Sequence, residues 1–412
     1  MAPAGAPFDA AVTGIGMVTP AGVGTAASWA RIRAAKGTAA QRVPSLDGIP
    51  ADMGCWIPDF DAAATLGRRK VWRLDRSCQL ALAAAAEALA DSGLDPASWD
   101  GARVGVVLGN GVGGTATWEK QYEVLRERGP EKVSAMLIPM LIVNMSAGHI
   151  AMEYGARGPN FVTATACASG TTAVGAAREL LRSGACDVVI TGGTESCLTP
   201  SIITGFQQMG ALSSRRDEPA AASRPFDADR DGFVPAEGAA VLVLERPDSA
   251  RARGARIRAM VSGYGASADA HNPTAPDPEG AGAELALRAA LRDAGVGPEA
   301  VGHVNAHGTS TPLNDLAEAR LIRRVLGDRP AVTSVKGVTG HALGAAGAIE
   351  AAVTALTVEQ AVIPPTANLD ALDPRIELDV VATAERATRV DVAVSHSFGF
   401  GGQNAVLLLT RP

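Results

Sequence analysis

The chain repeats itself. "LALAAAAEALADSGLDPASWDGARVGVVLGNG" (80–111) and "ELALRAALRDAGVGPEAVGHVNAHG" (284–308) share one order of parts. In each, an Ala-rich helix stops at a Gly turn, a Pro-containing connector follows, and a hydrophobic strand runs into a Gly-marked loop. Two such units roughly two hundred residues apart predict a duplicated α/β half. Further strands are read at 102–109, 186–193, 239–245 and 404–410, and helices at 78–93 and 282–295. This alternation predicts a largely parallel sheet with helices on its faces. Active sites in such folds gather at strand C-terminal ends, near where the halves meet. The halves are expected to divide near Arg253–Arg258, giving units 1–255 and 256–412. The charged, turn-rich stretch 213–235 is expected to be a surface excursion.

A chain of 412 residues exceeds the size at which single cores stop growing. Its net charge of −6 argues against nucleic acid as a partner, because phosphate binding wants a basic face. The most apolar segment, "MLIPMLIVNM" (136–145), is too short to span a bilayer and contains Pro139. The N-terminus lacks the basic and apolar regions of a signal peptide. The five cysteines are scattered without paired spacing, against a disulfide framework or structural zinc. The expectation is a cytoplasmic protein with reduced thiols.

Four stretches could carry chemistry. In "FVTATACASGTTAVGAA" (161–177), Cys167 falls where a strand gives way to a helix. A thiol there meets unpaired N–H groups and the positive end of the helix dipole, which favour thiolate. A buried cysteine acting as a small hydrophobe is an equally good reading of that stretch alone. In "HVNAHGTSTPLND" (303–315), His307 ends a strand and heads a loop of hydroxyls, Thr309, Ser310 and Thr311. His303, earlier on the same strand, is expected to pack. In "TSVKGVTGHALGAAGAIEAAVTAL" (333–356), Lys336 precedes His341, which sits at the mouth of a small-residue helix. The dipole there disfavours the imidazolium, leaving a neutral ring able to donate to an oxyanion. "SHSFGFGGQNA" (395–405) offers glycines that bring backbone N–H groups close to a ligand. "GNGVGG" (109–114) matches a dinucleotide fingerprint, but no clean βα pattern follows it, so that reading is rejected.

One cysteine and two histidines on separate Gly-rich loops meet the needs of acyl transfer with a carbanion step. "ATACASG", "NAHGTSTPLND", "SVKGVTGHALGAAGAIEA" and "SFGFGGQNA", in this order, resemble the β-ketoacyl-acyl-carrier-protein synthases. The likeness is greatest to the elongating synthase II type and to type II polyketide ketosynthases. "AVTGIGMVTPAG" and "ASRPFDADRDGFVPAEGAAVLVLE" extend it nearly end to end.

The resemblance implies the thiolase-like fold, two α/β halves in a five-layered α-β-α-β-α arrangement, and an obligate dimer. It implies a decarboxylative Claisen condensation between an acyl thioester held on Cys167 and malonyl-acyl-carrier protein. His307 and His341 would promote decarboxylation and stabilise the enolate. Lys336 would support them, with Glu318 as its partner. The N–H groups of Cys167 and Phe400 would form the oxyanion hole, and Phe400 would gate the pocket. Thr309 and Thr311 would contact the phosphopantetheine arm, and Trp118 would shape the acyl pocket near the dimer interface. No cofactor is implied, since the phosphopantetheine arrives on the acyl carrier protein. The family usually carries Asn where His396 stands and Thr where Gln403 stands. The partner subunit would be a second copy or a chain-length-factor-like chain. A thiolase would need a second cysteine near its C-terminus, and the last here is Cys197.

Overall fold

Short Val- and Ile-rich runs form the strands, and one hydrogen-bonded path runs through both halves of the chain. The computed structural model describes residues 8–412, so most of the N-terminal stretch read as lacking a signal peptide lies outside the described residues. In chain order the strands on the path are β1 (Ala10–Thr19), β2 (Val104–Gly109), β3 (Asn160–Thr163), β4 (Val188–Ser196), β5 (Glu237–Glu245) and β6 (Ala259–Ala268). They continue as β7 (His303–Asn305), β8 (Ala331–Thr333), β9 (Asp379–Val380), β10 (Val392–Gly399) and β11 (Gln403–Thr410). Their spatial order is β3-β2-β4-β5-β1-β6-β11-β10-β7-β8-β9.

Outward from the β1–β6 contact, the two sides match strand for strand. β1 pairs antiparallel with β5 as β6 does with β11, and β5 with β4 as β11 with β10. Beyond these, β4-β2-β3 and β10-β7-β8 are both parallel runs. The sequence repeat is therefore a repeat of hydrogen-bonding pattern.

The helices used below are α1 (Arg76–Ser92), α2 (Thr115–Arg128), α3 (Met145–Tyr154), α4 (Ser169–Arg182), α5 (Pro200–Gln208), α6 (Ala281–Ala294), α7 (Pro312–Leu326) and α8 (Ala346–Gln360). Helix α1 covers β1 and β5 on one outer face, and α6 covers β6 and β11 on the other. Between the sheets lie α4 and α8, and α8 touches β5 of one half and β10 of the other. Its sequence is apolar nearly all round, and every residue from Ala346 to Val358 is buried. A helix with no polar face can only be a core helix. The layers are thus α-β-α-β-α, as expected.

The two central helices meet at their N-terminal ends through glycines. A Cβ on Gly170 would come within 2.6 Å of the Ala348 nitrogen, and one on Gly347 within 2.1 Å of Thr171 Oγ1. This close approach brings the loops ahead of α4 and α8, with Cys167 and His341, to one place.

Two expectations are corrected. The sheet is mixed rather than largely parallel, because β4-β5-β1-β6-β11-β10 is an antiparallel run. The stretch 213–235 is not a surface excursion throughout, because Ser223–Asp227 and Gly232–Pro235 are buried. Its buried arginines are paired, one within the segment and one far along the chain: Arg224 Nε lies 2.8 Å from Asp227 Oδ1, and Arg230 Nη1 2.8 Å from Asp373 Oδ2. Charge and turn composition suggest solvent, but ions that find partners can be taken inside. Among the described residues no helix is long and apolar enough to cross a membrane.

Candidate active site

Cys167 sits on a strained elbow. After β3, Ala166 adopts φ 49°, unusual for a residue with a Cβ, and a tight turn over Ala166–Ala168 leads into α4. Ser169 braces the turn: its Oγ accepts from the Thr165 nitrogen at 2.9 Å and donates to the Ala166 carbonyl at 2.6 Å. Backbone strain of this kind costs about 1–3 kcal/mol and persists only where surrounding bonds enforce it. The other half repeats the device: Leu343 has φ 41°, opens a tight turn over Leu343–Ala345, and leads into α8. His341 lies two residues before Leu343, and its Nε2 is 3.1 Å from Cys167 Sγ.

His307 follows β7, and its main chain is held from both sides. Its N–H donates to Glu318 Oε1 at 2.8 Å, and the Gly308 N–H donates to Oε2 at 2.8 Å. On the other side, Lys336 Nζ donates to the His307 carbonyl at 2.6 Å and lies 3.4 Å from its Nδ1. An ammonium offers only hydrogens, so His307 Nδ1 is the acceptor and the ring proton is left on Nε2. The expected Lys336–Glu318 pair is corrected. Lys336 forms its ion pair with Glu350 of α8, both side chains being buried. Glu318 is instead taken up by the two backbone N–H groups and by His396 Nδ1 at 3.1 Å.

Burial sets the protonation pattern. It pushes the Cys167 thiol up to about 12, opposed by the Lys336 charge and a hydrogen bond from the Phe400 N–H. Burial, then Lys336, hold both His307 and His341 well below the ordinary imidazole value. Burial therefore favours a neutral thiol and two neutral imidazoles, with Cys167 Sγ and His341 Nε2 in hydrogen-bond contact. His341 Nδ1 has no partner among the described residues, so nothing locks the tautomer of that ring. The two imidazoles face each other edge-on with centroids 5.4 Å apart.

Cys167, His307 and His341 line one cavity of about 420 Å³, together with Thr309, Thr311 and Phe400. Thr309 and Thr311 share a hydrogen bond of 2.9 Å. Phe206 packs between Phe233 at 5.3 Å and Phe400 at 6.2 Å, making an aromatic wall beside the thiol. Trp118 is 44% exposed on α2, stacked on Tyr122, and does not line the cavity of the single chain. Val112, Cys197, Ile202, Phe206 and Leu343 pack around the thiol instead. His303 packs as expected, its Nε2 2.9 Å from Thr333 Oγ1.

Sequence reasoning missed two buried carboxylates. Glu350 is the only charge in the fully buried stretch of α8, and that isolation was the available signal. Glu195 ends the buried strand β4, where its Oε2 accepts from Gly111 N at 2.8 Å and Gly344 N at 3.2 Å. Burial pushes it up to about 7.

A thiol bonded to a neutral imidazole, with a second imidazole held as an Nε2–H donor across one cavity, defines an acyl-transferring, condensing class of enzyme on a duplicated α/β fold. The Beta-ketoacyl synthase N-terminal domain matches residues 8–250, and the Beta-ketoacyl synthase C-terminal domain matches residues 258–370. The chain belongs to the β-ketoacyl synthase family and is an acyltransferase. It is 43% identical over 407 residues to 3-oxoacyl-[acyl-carrier-protein] synthase 2 of Synechocystis, covering 97% of each chain. It superposes on the ishigamide ketosynthase/chain length factor with a TM-score of 0.92 at 34% identity, covering 99% of this chain and 100% of the other. The AntDE ketosynthase, solved with its type II acyl-carrier protein, gives 0.91 at 32% identity, with coverage of 99% and 100%.

Proposed function

We propose that this chain elongates an acyl chain by decarboxylative condensation with malonyl-acyl-carrier protein, with Cys167 as the acylated residue. The observation that carries this reading is the 3.1 Å contact between His341 Nε2 and Cys167 Sγ inside a cavity that His307 also lines. In the first half-reaction Cys167 Sγ attacks the acyl thioester carbonyl and His341 Nε2 takes the thiol proton. The C–S bond to the carrier breaks, and the proton passes to the departing carrier thiol. The N–H groups of Cys167 and Phe400 receive the carbonyl oxygen as it becomes an oxyanion. Malonyl thioester then enters, its C–C bond to the carboxylate breaks, and CO2 leaves. The electron pair becomes an enolate, whose oxygen accepts from His307 Nε2–H and from His341 in its Nε2–H tautomer. The enolate carbon attacks the acyl-Cys167 carbonyl, and the sulfur leaves as a thiolate that takes one proton from water, the proton the overall reaction consumes.

The malonyl and acyl groups are read as arriving on an acyl carrier protein, the kind of partner with which the AntDE ketosynthase is in complex. Thr309 and Thr311 line the cavity, which supports reading their hydroxyls as hydrogen-bond partners of the arm. Incubation with malonyl-carrier protein and a labelled acyl donor tests the reading. Cys167→Ala must lose condensation, and Cys167→Gln must keep malonyl decarboxylation; condensation by Cys167→Ala would sink it.

The active form is read as a pair of chains of this fold. Strand β3 ends the sheet path, with Asn160 and Phe161 exposed. Near it in sequence stand exposed Trp118, Tyr122, Ile138, Ile142 and Met152. An unpaired edge beside large exposed apolar residues marks an interface. The occupant proposed is a second copy. A chain that is monomeric in solution would instead favour a separate partner such as the chain length factor named for the ishigamide relative.

A further inference from the structure

We propose that His396 is a positioning residue for malonyl decarboxylation, acting through Glu318 on His307. The proposal rests on the reading of His307 as the group that promotes decarboxylation. His396 lies on β10, beside β7, the strand that leads to His307. Side chains alternate along a strand, so Val394, His396 and Phe398 share one face and Ser395 and Ser397 the other. Val394 and Phe398 pack in the outer core with α7, the helix that carries Glu318. Ser397 faces the central helices, where its Oγ is 2.7 Å from Thr171 Oγ1. His396 is thus the one polar side chain on its face of β10 aimed at α7.

The contact it makes there is specific. Every polar neighbour of the Glu318 carboxylate is an N–H donor: His307 N and His396 Nδ1 on Oε1, Gly308 N and Asn314 Nδ2 on Oε2. Both side chains of the His396–Glu318 pair are fully buried. A carboxylate held by two backbone N–H groups alone could still swing about its side-chain torsions. The His396 donor fixes Oε1 from the opposite strand, so the peptide of His307 is clamped between Glu318 and Lys336. Three N–H groups already donate to the Glu318 oxygens, so His396 meets an acceptor, which assigns its ring proton to Nδ1, and Nε2 has no partner among the described residues. The ring also backs Phe398 at 5.5 Å, and Phe398 in turn meets the His307 ring at 5.8 Å. One side chain thereby sets both the backbone and one wall of the His307 ring.

Asn can put an amide N–H where His has Nδ1–H, because both branch at the same atom. Gln carries its amide one bond further and cannot. The test separates partial reactions. In a Cys167→Gln background, His396→Leu and His396→Gln should lower kcat for malonyl decarboxylation by about tenfold or more, with KM nearly unchanged, because a small misplacement of an acid group is enough. His396→Asn should restore it to within about threefold. With Cys167 intact, all three should acylate that thiol within about twofold of the parent, since the His396 side chain meets Glu318 and Phe398 rather than Cys167 or His341. Equal decarboxylation in all variants overturns the proposal, as does a loss that Asn fails to rescue. If His396→Leu does not fold, the Gln–Asn pair decides alone. His307→Ala serves as the control: if it too decarboxylates normally, the reading of His307 has failed rather than this one.

Discussion

Glu350 of α8 holds Lys336, and the Lys336 ammonium in turn caps both the carbonyl and Nδ1 of His307. A buried ion pair is thus spent on the orientation and tautomer of one ring. Breaking such a pair leaves a charge without a partner, which costs about 3–5 kcal/mol. Lys336→Met should lose about that much stability in urea denaturation, and adding Glu350→Gln should recover more than half. Adding Glu318→Gln instead should recover nothing; recovery there would restore the partner first expected from the sequence.

The proposed mechanism gives His341 and His307 separable tasks. His341→Ala should slow acylation of Cys167 by about 10²-fold or more, because general-base help of this kind is worth 10²–10⁴. His307→Ala should leave acylation within about threefold and remove decarboxylation. Quenched samples weighed by intact-protein mass spectrometry give the first rate, and CO2 release gives the second. Equal losses in both assays for both variants would refute the division of labour.

Glu195 makes stability depend on pH. Its folded-state value is raised from 4.5 to about 7 by burial, so folding favours the protonated carboxyl. That contribution is complete below about pH 4.5 and is lost as pH rises to about 7. Glu195→Gln keeps an acceptor for Gly111 and Gly344 but cannot titrate. Between about pH 5 and about pH 8 the parent should lose about 2 kcal/mol that the variant does not. Parallel slopes in the two proteins would rule this out.

The exposed apolar face around β3 should carry self-association. Phe161→Asp with Met152→Asp puts charges at two exposed positions, the first on the edge strand itself. The dissociation constant measured by light scattering should rise by at least about tenfold, with the monomer still folded by circular dichroism. An unchanged mass would move the interface elsewhere.

Much of the scaffold and the reacting groups could be read directly from the chain, for definable reasons. The duplication showed because each half repeats an Ala-rich helix, a Gly stop and a Val-rich strand, and β7 appeared as a strand leading to His307. Cys167, His307 and His341 stood out because each follows a strand or opens a helix among small residues. What stayed hidden was pairing. Lys336 could be seen to need a carboxylate, but Glu318 and Glu350 both lie on helices facing the site, and only the packing of α8 against β10 decides between them. The charges of Arg224 and Arg230 misled for the same reason: their partners at Asp370 and Asp373 are far along the chain. Trp118 is a different case: it stands exposed on α2, and its place there says nothing about which surface a second chain would cover.

The repeat has one more consequence. Cys167 and Gly344 hold matching places, each just after a positive-φ residue and each inside the tight turn that opens a central helix. At the first place the backbone faces the cavity. At the second, the Gly344 N–H is met by Glu195. In the proposed reading the first N–H receives a passing oxygen of the substrate. The second is engaged by a resident carboxyl, so the doubled scaffold puts one device to two uses.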